Sequence, residues 1–336
     1  MAAQIKPRID IYDPVELKNA LPLRTPYVIH IDPCDTCNFH CKFCPSGNIS
    51  QIKSIQGRGH GPMSFQVYRN LIDGICEFEE KVKVIRLYKE GEPLLNPRFA
   101  DMVRYAKESG CCERVDTTTN ASMLKPELSR KIIDAGLDRI NISIEGVNAA
   151  QYMDFSGYKI NYDSLVENIA YFYEHRGQCE MNIKINGDIL TKSQEEEFFK
   201  IFGGVTDGIS VEHAIDYWPK YEEMQVEVND EIGLLGGKSK EVQVCPYVFY
   251  EMAINSNGTY SLCRFDWNHS MIMGQDLTYQ SPKKVWNSTV LWQFQNAFLR
   301  RERKLLTVLL CPKCGILKQG VPEDIDEFAQ EILENM

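Results

Sequence analysis

The sequence predicts an α/β protein whose larger, N-terminal part is a parallel sheet flanked by helices. Three observations carry that expectation. Six short, β-branched apolar runs occur between residues 27 and 212, segments of helical periodicity lie between them, and the two kinds alternate along the chain. Strand–helix alternation implies right-handed βαβ units and parallel pairing. Six such units form either an open sheet or a partly closed barrel, and periodicity does not choose between them.

The strand-like runs are Tyr27–Asp32, Lys83–Tyr88, Arg114–Thr118, Arg139–Ile144, Met181–Asn186 and Gly208–Glu212. Each is bounded by polar, Gly or Pro residues. Phe65–Glu79 reads as a helix capped by Ser64, with Phe65, Tyr68, Leu71, Ile72, Ile75 and Cys76 at helical spacing. Pro97–Glu108, Pro126–Ala135, Asn161–His175 and Ser193–Phe202 fill the other gaps. Asp216–Gln243 is charged, contains Gly236-Gly237, and reads as a connection. The expected organisation is therefore a first domain over 1–215, a linker over 216–243 and a smaller domain over 244–336. In the last, Asn255–Cys263 reads as a β-hairpin and Val321 onward as a helix with Ile325, Phe328, Ile332 and Leu333 on one side.

The chain has 336 residues and a formal net charge of −10. That acidity argues against a general nucleic-acid or membrane binder. No run of about 18 apolar residues exists to span a bilayer. The N-terminal residues lack an apolar signal core, so a cytoplasmic location is expected. Twelve cysteines are present. In a reducing compartment, clustered thiols read as metal ligands rather than disulfides.

The densest cluster is Cys37-Asn-Phe-His-Cys41-Lys-Phe-Cys44, a C-x3-C-x2-C run directly after the first strand. Three thiolates in so short a loop can hold three corners of an iron–sulfur cubane and leave the fourth iron open to a ligand. A structural zinc loop is the alternative, with Cys34 or His40 completing four ligands.

The spacing, with Phe43 before the third cysteine, resembles the signature of the radical S-adenosylmethionine (SAM) superfamily. Further motifs at strand ends extend the resemblance over residues 27 to 215. Glu90-Gly91-Glu92-Pro93 resembles that family's GGEP turn, with Glu90 in place of the first glycine. Thr119-Asn120 ends the third strand. Ser143-Ile-Glu145-Gly146 resembles an S-x-D-G segment, with Glu for Asp. Where relatives carry an Arg-Gly pair, this chain has Ser156-Gly157. The resemblance implies a (βα)6 partial barrel, a [4Fe-4S] cluster on Cys37, Cys41 and Cys44, and SAM held by Phe43, Gly91, Glu92, Asn120, Ser143, Ser156 and Lys184. Lys184 substitutes for the missing arginine.

Cys245, Gly258 and Cys263 form C-x12-G-x4-C, followed by Cys311-Pro-Lys-Cys314. This resembles the SPASM/twitch auxiliary region of radical SAM enzymes. Four cysteines suffice for one fully ligated [4Fe-4S] cluster. A four-cysteine zinc ribbon normally has two close C-x2-C pairs, and Cys245/Cys263 is not one.

The cluster plan is similar to that of the butirosin-pathway aminocyclitol dehydrogenase and related carbohydrate-modifying radical SAM enzymes. It implies hydrogen abstraction from a carbohydrate- or aminocyclitol-like alcohol, with the auxiliary cluster as electron acceptor and flavodoxin or ferredoxin as electron donor. No nicotinamide-binding G-x-G-x-x-G run is visible. Candidate catalytic residues are Glu90, Lys184, His213 and Arg264, with Tyr88 and Asp266 also near strand ends or Cys263. Other readings are a carbohydrate epimerase or dehydratase, a maturase of ribosomally made peptides, and an iron–sulfur electron carrier. Peptide maturases often carry an N-terminal recognition domain, whereas 36 residues precede Cys37 here. Epimerisation needs a hydrogen donor, often a thiol. Cys111, Cys112 and Cys179 precede strands three and five, at the end away from the catalytic loops, and Cys76 lies on a helix.

Overall fold

The computed structural model describes residues 3–336 except 220, 223, 274–279, 303–305, 307–310 and 320–322. The strands are β1 (Gln4–Ile5), β2 (Val28–Ile31), β3 (Val82–Arg86), β4 (Cys112–Thr119), β5 (Arg139–Ile144), β6 (Glu180–Asn186), β7 (Gly208–Glu212), β8 (Glu251–Ile254) and β9 (Tyr260–Ser261). They form one sheet in the order β1-β7-β6-β5-β4-β3-β2-β8-β9. All pairs are parallel except β8–β9. Strands β2 to β7 are the six expected runs, in chain order, and they make the partial barrel.

Among the helices, α1 is Pro14–Ala20, α2 Ile49–Ser54, α3 Phe65–Ile75, α4 Phe99–Ser109, α5 Pro126–Asp134, α6 Ala149–Ser156, α7 Tyr162–His175 and α8 Lys192–Phe202. Local chemistry sets their ends. Thr191 and Gln194 form a capping box at the start of α8, Pro126 opens α5, and Gly110 closes α4 in the left-handed region (φ 68°). Helix α3 stops at Cys76, short of the expected Glu79. Beyond the barrel come α9 (Tyr247–Tyr250), α10 (Pro282–Trp286), α11 (Thr289–Leu299) and α12 (Ala329–Asn335).

Parallel strands are covered on both faces, so outward positions are apolar and buried. Inward positions are polar here. The register aligns His30, Arg86, Asp116, Arg139 and Glu180 in one row. Thr118, Asn141 and Asn182 make the next, and Ser143, Lys184 and Ser210 the one above. A barrel lined this way keeps an interior for ligands instead of a packed apolar core. Asp10 closes one end, reaching Arg86 (2.7 Å), Arg139 (3.0 Å) and Arg114.

Two features lay outside the sequence reading. Strand β1 is only two residues long, too short for alternation to register. Strand β8 pairs in parallel with β2, so the C-terminal part extends the barrel's own sheet. The expected hairpin lies a few residues upstream, because Asn255–Thr259 form its turn: Asn255 N–H donates to Thr259 O. Val321 and Pro322 lie outside the described residues. The C-terminal helix is α12, after a single 3-10 turn at Asp326–Phe328. Among the described residues no helix is long and apolar enough to cross a membrane.

Candidate active site

The loop after β2 carries Cys37, Cys41 and Cys44. Burial, first of all, and then the charge of Glu92 at Cys37 and of Glu145 at Cys41, ahead of the neighbouring thiols, push the Cys37 and Cys41 thiols up, and burial does the same to Cys44. Such a set is costly as free thiolates and suits a cationic iron core. Phe39 N–H points at Cys37 Sγ (3.4 Å), the backbone-to-sulfur contact that supports a metal thiolate. Both candidate fourth ligands of a zinc loop have a polar partner, His40 through Nδ1 alone. Cys34 Sγ lies 3.2 Å from Thr36 Oγ1, and His40 Nδ1 lies 2.7 Å from Gly47 O. The donor set thus fits a three-thiolate cubane with one open iron.

Helix α6 holds the loop from outside. His40 N–H donates to Ser156 O and Lys42 N–H to Phe155 O, while the Ser156 hydroxyl donates back to Tyr152 O. Ser156 therefore positions the loop backbone, with its own hydroxyl turned into the helix. Gly91 packs so closely that a Cβ would overlap the carbonyls of Cys34 and Thr36. Glu92 is buried and accepts from Leu94 N (3.0 Å), Thr119 Oγ1 (2.5 Å) and Asn120 N (2.8 Å). Burial raises its pKa to about 7 against the pull of those bonds. Asn120 Nδ2 lies 3.0 Å from Asn38 Oδ1 and 3.9 Å from Cys37 Sγ. Phe43 stacks on Phe155 at 5.7 Å.

The later cysteines converge as well. Burial, and then the charges of Cys311 and Cys314, push Cys245 and Cys263 up. Phe265 N–H points at Cys263 Sγ (3.4 Å), repeating the Cys37 pattern. Four thiols and this contact fit a closed auxiliary cluster. Among the described residues, no three ligating side chains converge around a point sized for a single metal ion.

A cavity of about 470 Å³ joins the two regions. Phe43, Ser143 and Lys184 line it on the cluster-loop side, and Tyr247, Arg264 and Phe265 on the side of Cys263. Lys184 is 9% exposed, with its Nζ 5.9 Å from the Phe43 ring centre. Arg264 is ion-paired to Glu251 and lies over the rings of Tyr247 and Phe265. His30, missed by the sequence reading, also borders the cavity at 1% exposure. Its Nε2 lies 3.7 Å from Glu251 Oε1 and 3.5 Å from Arg264 Nη1. Burial lowers its pKa to about 4 in spite of Glu251, so it is a neutral imidazole at pH 7. Arg8, Glu212 and Tyr217 were missed too. Arg8 carried no sequence signal, whereas Glu212 shares the inward parity of Ser210.

Three candidates sit outside this cavity. Asp266 is buried and accepts from Ser261 Oγ (2.9 Å) and Met271 N (3.0 Å). His213 follows β7 and turns to Asp188 (2.7 Å). Glu90 lies in a buried ionic knot with Lys89, Arg58 (3.1 Å) and His269 (3.0 Å). The knot ties the β3 turn to the loop after Cys263. Burial by itself would raise the Glu90 pKa, but Lys89, His269 and Arg58 bring it down to about 2 from 4.5. Its stabilisation, about 3 kcal/mol by linkage, is fully present above pH 4.5 and lost as pH falls through 2. Glu90→Gln is therefore expected to lose about 3 kcal/mol at neutral pH, by denaturant unfolding. The gap from the parent should shrink towards pH 2.

A model of the radical SAM superfamily matches residues 31–202, just over half of the chain. A SPASM model, an iron–sulfur cluster-binding domain, matches residues 245–315. An AdoMet-dependent heme synthase of Methanosarcina barkeri is 25% identical over 160 residues, 48% of this chain and 42% of that protein. The chain spans about half the length of the curated relatives it matches. Among solved structures, BtrN in complex with AdoMet and 2-DOIA aligns with a TM-score of 0.54 at 15% identity, over 89% of this chain and 97% of that one. SuiB of Streptococcus suis bound to its precursor peptide SuiA aligns at 0.61 and 15%, over 94% and 78%. Identities this low show a shared fold.

Proposed function

The chain belongs to the radical SAM superfamily and carries a SPASM region, and from that premise we propose that it oxidises a carbohydrate-like alcohol to the ketone. The observation that carries the reading is a cavity bordered both by the three-cysteine loop and by the segment beside Cys263. Among its described lining residues there is no cysteine, so no thiol stands ready to return a hydrogen atom to a substrate radical. That favours oxidation over epimerisation. Its volume suits a small molecule.

When bound, SAM and its cluster supply a 5′-deoxyadenosyl radical, and the auxiliary cluster a one-electron acceptor, the first electron coming from a donor such as flavodoxin or ferredoxin. The chain's own residues hold and deprotonate. Lys184 would meet the SAM carboxylate, Ser143 and Asn120 would border its site, and Phe43 lines the cavity on the loop side. His30, neutral and facing the cavity, takes the hydroxyl proton, and Glu251 stabilises the imidazolium that forms. Arg264 orients the substrate oxygen. Balanced over the step, the carbon loses a hydrogen atom, the oxygen a proton, and the resulting radical one electron.

The test is product analysis with reconstituted enzyme in heavy water. A product lighter by two hydrogens, formed one per 5′-deoxyadenosine, supports oxidation. A product of unchanged composition that has gained deuterium at carbon would mean epimerisation, and a modified peptide would mean maturation. His30→Gln is expected to keep deoxyadenosine formation and lose at least about tenfold in ketone formation, and to lose the fall in ketone rate that protonation of His30 would cause as pH drops through about 4.

A further inference from the structure

We propose that the substrate of this cavity is an anion, a polyol bearing a phosphate or carboxylate group. The inference rests on reading the cavity as the substrate site. The chain as a whole is acidic, with 37 Lys and Arg against 47 Asp and Glu. The cavity wall reverses that balance. The barrel contributes Arg8, Arg86, Lys89 and Lys184, and the later chain Lys238, Lys240 and Arg264. Glu145 and Glu212 are the carboxylates among the described lining residues.

The counter-charges stand mostly behind the wall. Asp10 (2.7 Å) and Asp116 (3.6 Å) hold Arg86, Glu251 holds Arg264, and Glu90 holds Lys89. None of these four carboxylates borders the cavity. Each fixes its cation and leaves the remaining N–H donors for a ligand, the arrangement that suits forked recognition of an oxyanion. Glu212 is committed to Arg8 (2.8 Å). Glu145 is buried, and burial pushes its carboxyl up in spite of Lys184. Lys184 itself has no ion-pair partner among the described residues.

On the proposed reading Lys184 would be taken by the SAM carboxylate. That leaves Arg86 and Arg264, which flank His30: Arg86 is its register partner on β3, and Arg264 lies 3.5 Å from its ring. An anionic group seated between these guanidiniums brings a neighbouring hydroxyl to His30. A neutral polyol would leave those donors to water. An amine-bearing cyclitol would add a cation to a cationic, poorly solvated wall, where like-charge repulsion is strong.

The test is calorimetric binding to the reconstituted holoenzyme with SAM present. The probes share one ring: glucose 6-phosphate, glucuronate, glucose and glucosamine. At least one of the two anions is expected to bind about tenfold more tightly than glucose and glucosamine, to weaken with added salt, and to lose about tenfold in Arg264→Gln. Arg264→Lys, which keeps the charge, should retain part of the preference if the glutamine variant folds poorly. Phosphate and carboxylate are separated by which anion binds. Equal binding of all four, no measurable binding of either anion, or tighter binding of glucosamine overturns the proposal. Binding is read without turnover, so a wrong oxidation chemistry leaves this result standing. Intact iron content and SAM cleavage beside a failed anion preference would confine the failure to substrate charge.

Discussion

Anaerobically reconstituted Cys37→Ala protein is expected to hold about four fewer irons per chain and to form no 5′-deoxyadenosine above background. The expectation follows from how completely the loop is committed. Three thiols would ligate three irons, and the two nearest alternatives among the described residues already have partners. Cys34 is turned to Thr36, and His40 Nδ1 is held against the Gly47 carbonyl. Asn120 can reach Cys37 Sγ only with an amide nitrogen, which is a donor and no ligand. Cys34→Ala is the matched control: it removes a thiol three residues away and should leave both iron and SAM cleavage intact. Chromatographic assay of 5′-deoxyadenosine after reduction with dithionite reads the outcome. Cleavage preserved in Cys37→Ala would falsify the ligand assignment.

The barrel was legible because its strands follow a period of two and its helices a period near 3.6, and both survive without knowledge of tertiary contacts. The cysteine loop was legible because its spacing is local. What sequence did not give is the direction of single side chains. On β7, alternation sends Ser210 and Glu212 inward, so His213 points out to Asp188. Position at a strand end was the argument for His213, and parity would have removed it. Glu90 beside the glycine turn read as an active-site group. It is drawn away by Arg58 and His269, 32 and 179 residues distant in sequence, and no local pattern announces such partners. His30 was missed although it is the one ionisable residue within Val28–Ile31, a position that needs either a partner or a function. Its partner Glu251 lies on β8, whose parallel pairing with β2 is a long-range event no periodicity encodes.

That same pairing makes Cys311→Ala informative. If the four later cysteines ligate one closed cluster, as proposed, losing one thiol should cost that cluster, about four irons per chain, without touching the first. In many small metal-binding domains loss of the metal unfolds the domain. Here the ladder between β2 and β8 is built of four register pairs, Val28 to Ile31 against Glu251 to Ile254. The ionic knot around Glu90 supplies a second tie between the β3 turn and His269. Both persist without iron, so the barrel and the SAM-cleaving loop should remain folded. Deoxyadenosine formation is then expected to continue in Cys311→Ala, near the parent rate in the absence of substrate. With substrate present it should run uncoupled, with ketone falling at least about a hundredfold because the substrate radical has no acceptor for its electron. Ketone yield per deoxyadenosine is the quantity to measure, since it separates loss of the acceptor from loss of the radical. A ratio unchanged from the parent would strip the later cysteines of the acceptor role and leave them a structural one. If both products disappeared together, the C-terminal region would be holding the barrel in shape, and the β2–β8 ladder would be too weak to stand alone.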